Sequence, residues 1–221
     1  IKAMTDYAMW RQRPKRVVKL FPANRRRVER IVDRHLRRNL REVGEMESKE
    51  ILEAYGFVTP KGSIATTADQ AANIASQLGY PVVMKIWSPD IIHKSDVGGV
   101  KVGLSSAQQV RDAFDLMMYR IPKKMPEANI LGVLVQQMCK IHQEVILGMN
   151  RDPQFGPLMM FGMGGIMVEV LKDVAFYLAP LTADEARRML AATRTYKMLK
   201  GVRGQEGVDL DALAEALQRL S

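Results

Sequence analysis

Between Pro81 and Leu104 the chain spells a strand, a polar loop and a second strand, and that pattern limits what it can fold into. Pro81–Ile86 is an apolar run with one lysine, Lys85, inside it; Val100, Val102 and Leu104 alternate as the apolar positions of a half-buried strand do. The loop between them, Ser88-Pro89-Asp90-Ile91-Ile92-His93-Lys94-Ser95-Asp96-Val97-Gly98-Gly99, carries a histidine and closes on a glycine pair. Glycines let backbone approach a ligand closely, and several amides with two lysines suit polyphosphate. A histidine placed there can meet a phosphoryl group as base, donor or nucleophile.

The flanking sequence predicts mixed helix and strand. Ile1–Trp10 is weakly helical, and Arg13-Pro14 and Phe21-Pro22 interrupt it. A helix from Asn24 sets Val28, Ile31, Val32, Leu36 and Leu40 at helical spacing, and a shorter one runs from Ser48 to Tyr55 and stops at Gly56. A short strand follows at Ser63–Ala65. Thr67 with Gln70, Ser106 with Gln109 and Thr182 with Glu185 are three capping-box starts, the second helix running to Tyr119 and the third to Ala192. Strands are expected at Ile130–Gln137, His142–Met149, Pro157–Phe161, Ile166–Val170 and Val174–Ala179, with Gly162-Met163-Gly164-Gly165 as a tight turn. A last helix from Asp209 stripes Leu210, Leu213, Leu217 and Leu220 on one face. Helices and strands alternating in front and strands dominating behind give an α+β class, not a doubly wound sheet.

Composition narrows the function classes. The 221 residues, 47% hydrophobic, supply one substantial core or two smaller ones. No apolar run reaches the ~18–20 residues of a membrane span, and the first residues show no signal-peptide pattern. The chain begins with Ile1, which reads as a cut from something longer. A single cysteine, Cys139, excludes an internal disulfide and suits a reducing, cytoplasmic compartment. His35, His93 and His142 lie apart from any cluster at zinc spacing, and no metal ligand is assigned. Walker A, G-x-G-x-x-G and G-x-S-x-G signatures are absent. The net charge of +9 comes wholly from residues 1–41, where 14 Lys/Arg face Asp6, Glu29 and Asp33. That segment lacks the interleaved aromatics of a single-strand binder, so a solvated helix or a contact with acidic protein surface outranks nucleic acid as its use.

The residues that can carry chemistry each have a plainer reading. Lys85 clamps phosphate, forms a structural ion pair, or reaches solvent at a strand edge. His93 is a phosphoryl-handling residue or an ordinary loop histidine, with Lys94, Ser95 and Asp96 beside it to orient the imidazole. Glu144 and Glu169 lie on apolar-rich predicted strands and meet ribose, metal or lysine, or else face solvent. Gly164-Gly165 and Asp173 serve as ligand contacts or as turn chemistry. The methionines, Met159, Met160, Met163 and Met167 among them, read as core filler.

Several of these stretches resemble a known family. Glu47-Ser48-Lys49-Glu50-Ile51-Leu52-Glu53-Ala54-Tyr55-Gly56, Tyr80–Lys85 and Ile92–Val100 look like the ATP-grasp module of NDP-forming acyl-CoA synthetases. So do Glu144–Gly148, Arg151–Pro157, Phe161–Gly165, Glu169–Phe176 and Ala179-Pro180-Leu181. The resemblance covers about residues 45–221, and at longer range it is similar to the β subunit of succinyl-CoA synthetase. Residues 1–44, with Tyr7-Ala8-Met9-Trp10-Arg11, resemble the tail of a preceding CoA-ligase domain and its helical connector.

The resemblance implies an ATP-grasp fold and the reaction acid + CoA + ATP to acyl-CoA + ADP + phosphate, passing through acyl phosphate and phosphohistidine. It implies that Lys85 contacts nucleotide phosphates and that His93 is a phosphohistidine on a mobile loop. It places adenine near Gln136-Gln137-Met138, Glu144 at the nucleotide, and Gly164, Gly165, Glu169 and Asp173 along the phosphoryl-transfer site. ATP or ADP and Mg2+ are the expected ligands, CoA belonging to further domains of the same parent or of a partner subunit. Family members continue into two strands whose Asn-Pro and Asp bind the magnesium; this chain ends at Ser221, so a fragment without full activity is expected. The alternative is a catalytically silent, synthetase-like regulatory region such as accompanies some protein lysine acetyltransferases.

Overall fold

The computed structural model describes residues 2–12, 16–140, 143–165, 173–201 and 206–221. In chain order its elements are α1 (Lys2–Arg11), α2 (Arg25–Arg37), α3 (Glu45–Ala54), β1 (Gly62–Ala65), α4 (Ala68–Leu78), β2 (Val82–Trp87), β3 (Val100–Leu104) and α5 (Ala107–Lys124). They continue with β4 (Gly132–Gln137), β5 (Val145–Asp152), β6 (Gly156–Met163), β7 (Val174–Leu178), α6 (Ala183–Ala191), α7 (Tyr196–Leu199) and α8 (Leu210–Leu220). They gather into two compact units, one of Arg27–Glu53 and Val58–Lys140, the other of Ile1–Arg26, Ala54–Phe57 and Ile141–Ser221.

The first unit is built on an antiparallel sheet in the order β1-β4-β2-β3. Side chains alternate across a strand, so each strand offers one set to each face. Ala65, Val82, Met84, Ile86, Val133 and Val135 make the face packed beneath α4 and α5, against Ala71, Ala75, Val110, Phe114, Met117 and Ile121. The register pairs Lys85 with Leu134, Val83 with Gln136 and Trp87 with Gly132, which puts these residues on the opposite face. Helix α3 lies against that face, tied to it by Lys85–Glu45 and Lys49–Gln136 contacts.

The second unit is the antiparallel sheet β5-β6-β7. Met159, Phe161, Met163 and Ala175 pack against Leu181, Met189, Leu190, Leu199 and Leu217. The other face carries the row Gly148, Met160 and Phe176, and there Phe176 and Leu178 are about half exposed.

Most predicted elements are found, and the differences have physical causes. Helix α5 passes Tyr119 and accommodates Pro122, because Met117 and Ile121 are buried in the core; burial outweighs the missing proline donor. Helix α2 ends at Arg37 and leaves Leu40 outside. Gly162 and Met163 belong to β6 rather than to a turn. The predicted strand Ile166–Val170 lies outside the described residues. The capping box is complete at Thr182–Glu185. At Thr67 and Ser106 the hydroxyl caps the helix as expected, but Gln70 and Gln109 accept instead from the amides of Thr66 and Ser105, one residue earlier.

Candidate functional site

The site in the β1–β4 unit starts at the first turn of α3. The Ser48 amide donates to the Gly44 carbonyl, so the helix opens at Glu45, three residues before the predicted start. Glu45 and Lys49 are one turn apart and share a face. Lys85 Nζ stands 2.8 Å from Glu45 Oε1, Lys49 Nζ 3.7 Å from the same oxygen, and Lys94 Nζ 3.9 Å from Oε2. Lys49 also donates to Gln136 Oε1 at 2.9 Å. These four ionised side chains are only 14–26% exposed. Three ammonium groups on one carboxylate leave the cluster cationic in a half-desolvated place, which favours a further anion.

The titration behaviour follows from that packing. Burial would raise the Glu45 carboxyl, but the Lys85 hydrogen bond and the charges of Lys85, Lys49 and Lys94 outweigh it and hold the group below its usual 4.5. Burial lowers the Lys49 ammonium, aided by the like charge of Lys85 and opposed by Glu45.

Lys94 belongs to the histidine loop. His93 is exposed, and the turns that follow it are closed by Asp96 N–His93 O (3.3 Å), Gly98 N–Ser95 O (3.0 Å) and Gly99 N–Lys94 O (2.7 Å). Gly98 takes a φ of 76°. A Cβ on Gly99 would stand 2.6 Å from Ile86 Cγ2 and 2.8 Å from the Lys94 carbonyl. The two glycines thus impose a left-handed bend and a close packing contact. A cleft of about 530 Å³ runs beside the loop, lined among others by Glu45, Trp87, Ile91, Ile92, Lys94 and Leu131. At the end of β4, Gln136 is buried while Gln137 and Met138 are exposed, the Gln137 amide donating to the Lys61 carbonyl.

The remaining candidates lie in the other unit. Glu144 immediately precedes β5, so the expectation that it sits within a strand is corrected. Its carbonyl accepts from Gly164 N at 2.8 Å, and a Cβ on Gly165, whose φ is 61°, would stand 2.8 Å from Glu144 Oε2. Glu144, Gly164 and Gly165 are therefore brought together, Gly164 packed closely on the Glu144 Cβ and backbone and Gly165 restricted by its positive φ. Asp173 accepts from Arg194 N at 2.9 Å and from Thr195 N and Oγ1 at 2.7 Å. Burial works against its ionisation, but those donors outweigh it and hold the carboxyl below its ordinary value. Its carboxylate anchors the start of α7, a helix that local sequence did not announce. Glu169 lies outside the described residues. Among the described residues no three His, Cys, Asp or Glu side chains gather into a metal-binding group. No helix among them is long and apolar enough to cross a membrane.

Sequence reasoning missed Glu45 and Lys49 as site residues. The available signal was an acid–base pair four residues apart opening a helix; the start was misplaced because Gly44 has no side-chain oxygen to announce a cap as Ser, Asp or Asn would.

Comparison with known proteins adds a family to this geometry. The model of the ATP-grasp domain matches residues 34–221. The 4-hydroxybutyrate–CoA ligase [ADP-forming] of Nitrosopumilus maritimus is 44% identical over 222 residues, covering 100% of this chain and 32% of that protein. The chain spans about a third or less of the first full-length relatives it matches. The acetate–CoA ligase [ADP-forming] I subunit beta of Pyrococcus furiosus is 45% identical over 176 residues, 80% of this chain and 76% of that one. Among solved structures, the acetyl-coenzyme A synthetase 1 of Ca. Korarchaeum cryptofilum with coenzyme A, Ca-AMPCP and HgCl+ superposes with a TM-score of 0.83 at 40% identity, covering 86% of this chain and 83% of that one. The same protein with a phosphorylated phosphohistidine segment gives a TM-score of 0.78 at 38% identity, over 86% and 83% of the two chains.

Proposed function

The chain belongs to the ATP-grasp domain family, and from that premise we propose that it is the nucleotide-binding part of an ADP-forming acyl-CoA ligase. The complete enzyme converts acid, CoA and ATP to acyl-CoA, ADP and phosphate. The observation that carries this reading is local: His93 stands exposed on a loop whose next residue, Lys94, shares Glu45 with Lys85. The relatives named as ADP-forming ligases support it.

In this reading one unprotonated ring nitrogen of His93 attacks the γ-phosphorus of ATP. A P–N bond forms, the P–O bond to ADP breaks, and ADP leaves with the electron pair. Lys85 neutralises the phosphate charge, the part a lysine commonly has in phosphoryl transfer. Gln136, Gln137 and Met138 receive the base along the β4 backbone. Glu144 lies at the nucleotide, and Gly164, Gly165, Glu169 and Asp173 line the phosphoryl-transfer site, Asp173 also keeping the Arg194–Thr195 segment in place. Magnesium bound with the nucleotide would supply further charge neutralisation. CoA and the acyl group belong to CoA-binding and ligase domains of the same polypeptide or of a partner subunit; one relative is itself a ligase β subunit. A cytoplasmic setting fits both the ATP chemistry and the lone exposed Cys139.

The test is a labelling experiment on the complete ligase. Magnesium and γ-labelled ATP should place an acid-labile, base-stable label on His93. His93→Asn keeps a polar side chain but cannot accept the phosphoryl group, so acyl-CoA synthesis should fall by at least about a thousandfold while ATP binding changes little. A variant that turns over normally, or a wild type that takes no label, would remove the phosphohistidine reading.

A further inference from the structure

Glu45 is the meeting point of three lysines that come from three parts of one compact unit. Lys49 lies on its own helix, Lys85 in β2 and Lys94 in the histidine loop, at 3.7, 2.8 and 3.9 Å. None of these side chains is more than about a quarter exposed, so their mutual charges are poorly screened. The carboxylate sits at the first residue of α3, where the helix amides favour negative charge. One anion cannot satisfy three cations equally: Lys85 has the close contact, and Lys94 is held at the margin.

That arrangement has a consequence if Lys85 takes nucleotide phosphate, and to that extent it rests on the function proposed above. Phosphate on Lys85 withdraws the strongest competitor for Glu45 and cancels the repulsion between Lys85 and Lys94. Glu45 is then left to Lys49 and Lys94, and its hold on Lys94 tightens. Because Lys94 directly follows His93, the same carboxylate that stands in for phosphate on Lys85 sets the position of the imidazole-bearing segment. We infer that Glu45 is a positioning residue that couples occupancy of Lys85 to the ordering of the His93 loop, nucleotide making the loop more ordered. Coupling of this kind is reciprocal, so Glu45→Gln removes two opposing contributions to nucleotide affinity, the carboxylate's competition with phosphate and the gain from ordering the loop.

Amide hydrogen exchange over residues 94–99 reads the loop directly, since the Asp96, Gly98 and Gly99 amides are bonded within it. The comparison uses the complete protein as wild type, Glu45→Gln and Lys94→Met, with and without a non-hydrolysable ATP analogue. Without nucleotide, exchange in the loop should be about fivefold faster in both variants, the size expected for losing one partly screened ion pair. The analogue should slow the loop further in wild type and leave its exchange in Glu45→Gln unchanged. Analogue affinity in Glu45→Gln should be equal to or tighter than wild type, because the competing carboxylate is gone. Unchanged loop exchange in the variants without nucleotide would overturn the inference. So would a uniform loss of protection across α3 and β2 with weakened analogue binding, which marks a purely structural ion pair. If Glu45→Gln does not fold, Lys94→Met alone decides whether the anchor exists, and its loop must lose the response to analogue. A wild type that binds no analogue defeats the nucleotide reading instead, while the nucleotide-free comparison still tests the anchor.

Discussion

Lys85 shows how one strand residue can satisfy two descriptions at once. A lysine within an apolar strand needs a counter-charge, and here Glu45 supplies it at 2.8 Å. The same ammonium faces away from the α4–α5 core, on the sheet face that also carries Gln136, and so remains available to an anion that outcompetes one carboxylate. Lys85→Met keeps the aliphatic stem and removes the charge. Glu45 would keep Lys49 and Lys94, so stability should change by less than about 1 kcal/mol. Nucleotide affinity should fall roughly tenfold to a hundredfold, the effect of losing one charged hydrogen bond. A collapse in melting temperature with unchanged affinity per folded molecule would leave Lys85 a structural residue only. Acid provides a second probe of the cluster. The Glu45 carboxyl is held below 4.5 in the folded state, so its contribution is fully present above that value and disappears as pH falls through the lower folded one. Urea midpoints measured from about pH 6 to about pH 3 should show the gap between wild type and Glu45→Gln closing as carboxylates protonate. A gap that stays constant over the range would mean that Glu45 contributes through shape and not through charge.

At the scale of elements, the legible parts of the fold are those with local causes. The β2–loop–β3 motif and the helices capped by Thr67, Ser106 and Thr182 depend on neighbours in sequence, and they lie where periodicity and caps put them. What sequence did not disclose depends on distant partners. Helix α7 starts where Asp173, some twenty residues earlier, accepts from Arg194 and Thr195. Likewise Glu45 becomes a site residue only when β2 and the loop bring Lys85 and Lys94 to it. The glycine pair was legible as a pair but not in its division of labour: it reads as close backbone approach to a ligand, yet the two residues impose different constraints. Gly98→Ala meets no atom within 4 Å and suffers only from its positive φ, which should cost about 1 kcal/mol. Gly99→Ala drives a methyl into Ile86 and the Lys94 carbonyl, and overpacking of that kind should cost about 1–3 kcal/mol. Denaturant titration should therefore rank Gly99→Ala as the more damaging, with faster exchange in residues 94–99. Equal, small effects would mean that the loop shifts freely and that its packing on β2 carries little stability.

At the scale of the whole molecule, the excess positive charge of residues 1–41 poses a choice between a structural use and a polyanion partner. Several of its cations already have acidic neighbours. In the β5–β7 unit Arg16 pairs with Glu185 at 3.0 Å and donates to the Pro180 carbonyl at 2.8 Å, while Lys19 pairs with Glu215. In the β1–β4 unit Arg27 meets Glu50 and Glu53, and Arg34 meets Glu47. Glu185 also completes the capping box of α6, so Arg16 acts on a carboxylate with a second structural task. Removing a cation paired in this way costs stability, not nucleic-acid affinity. Arg16 is 55% exposed, so Arg16→Gln should cost only about 0.5 kcal/mol at low salt. Raising the salt to about 0.5 M should remove most of that difference, because the screening length then falls to a few ångströms. Over the same salt range, any affinity for a short single-stranded RNA should stay in the generic non-specific regime, with a Kd weaker than about 10⁻⁶ M, and Arg16→Gln should barely change it. A tight, steeply salt-dependent RNA complex that Arg16→Gln weakens, with folding stability untouched, would show instead that the basic segment serves a nucleic-acid partner.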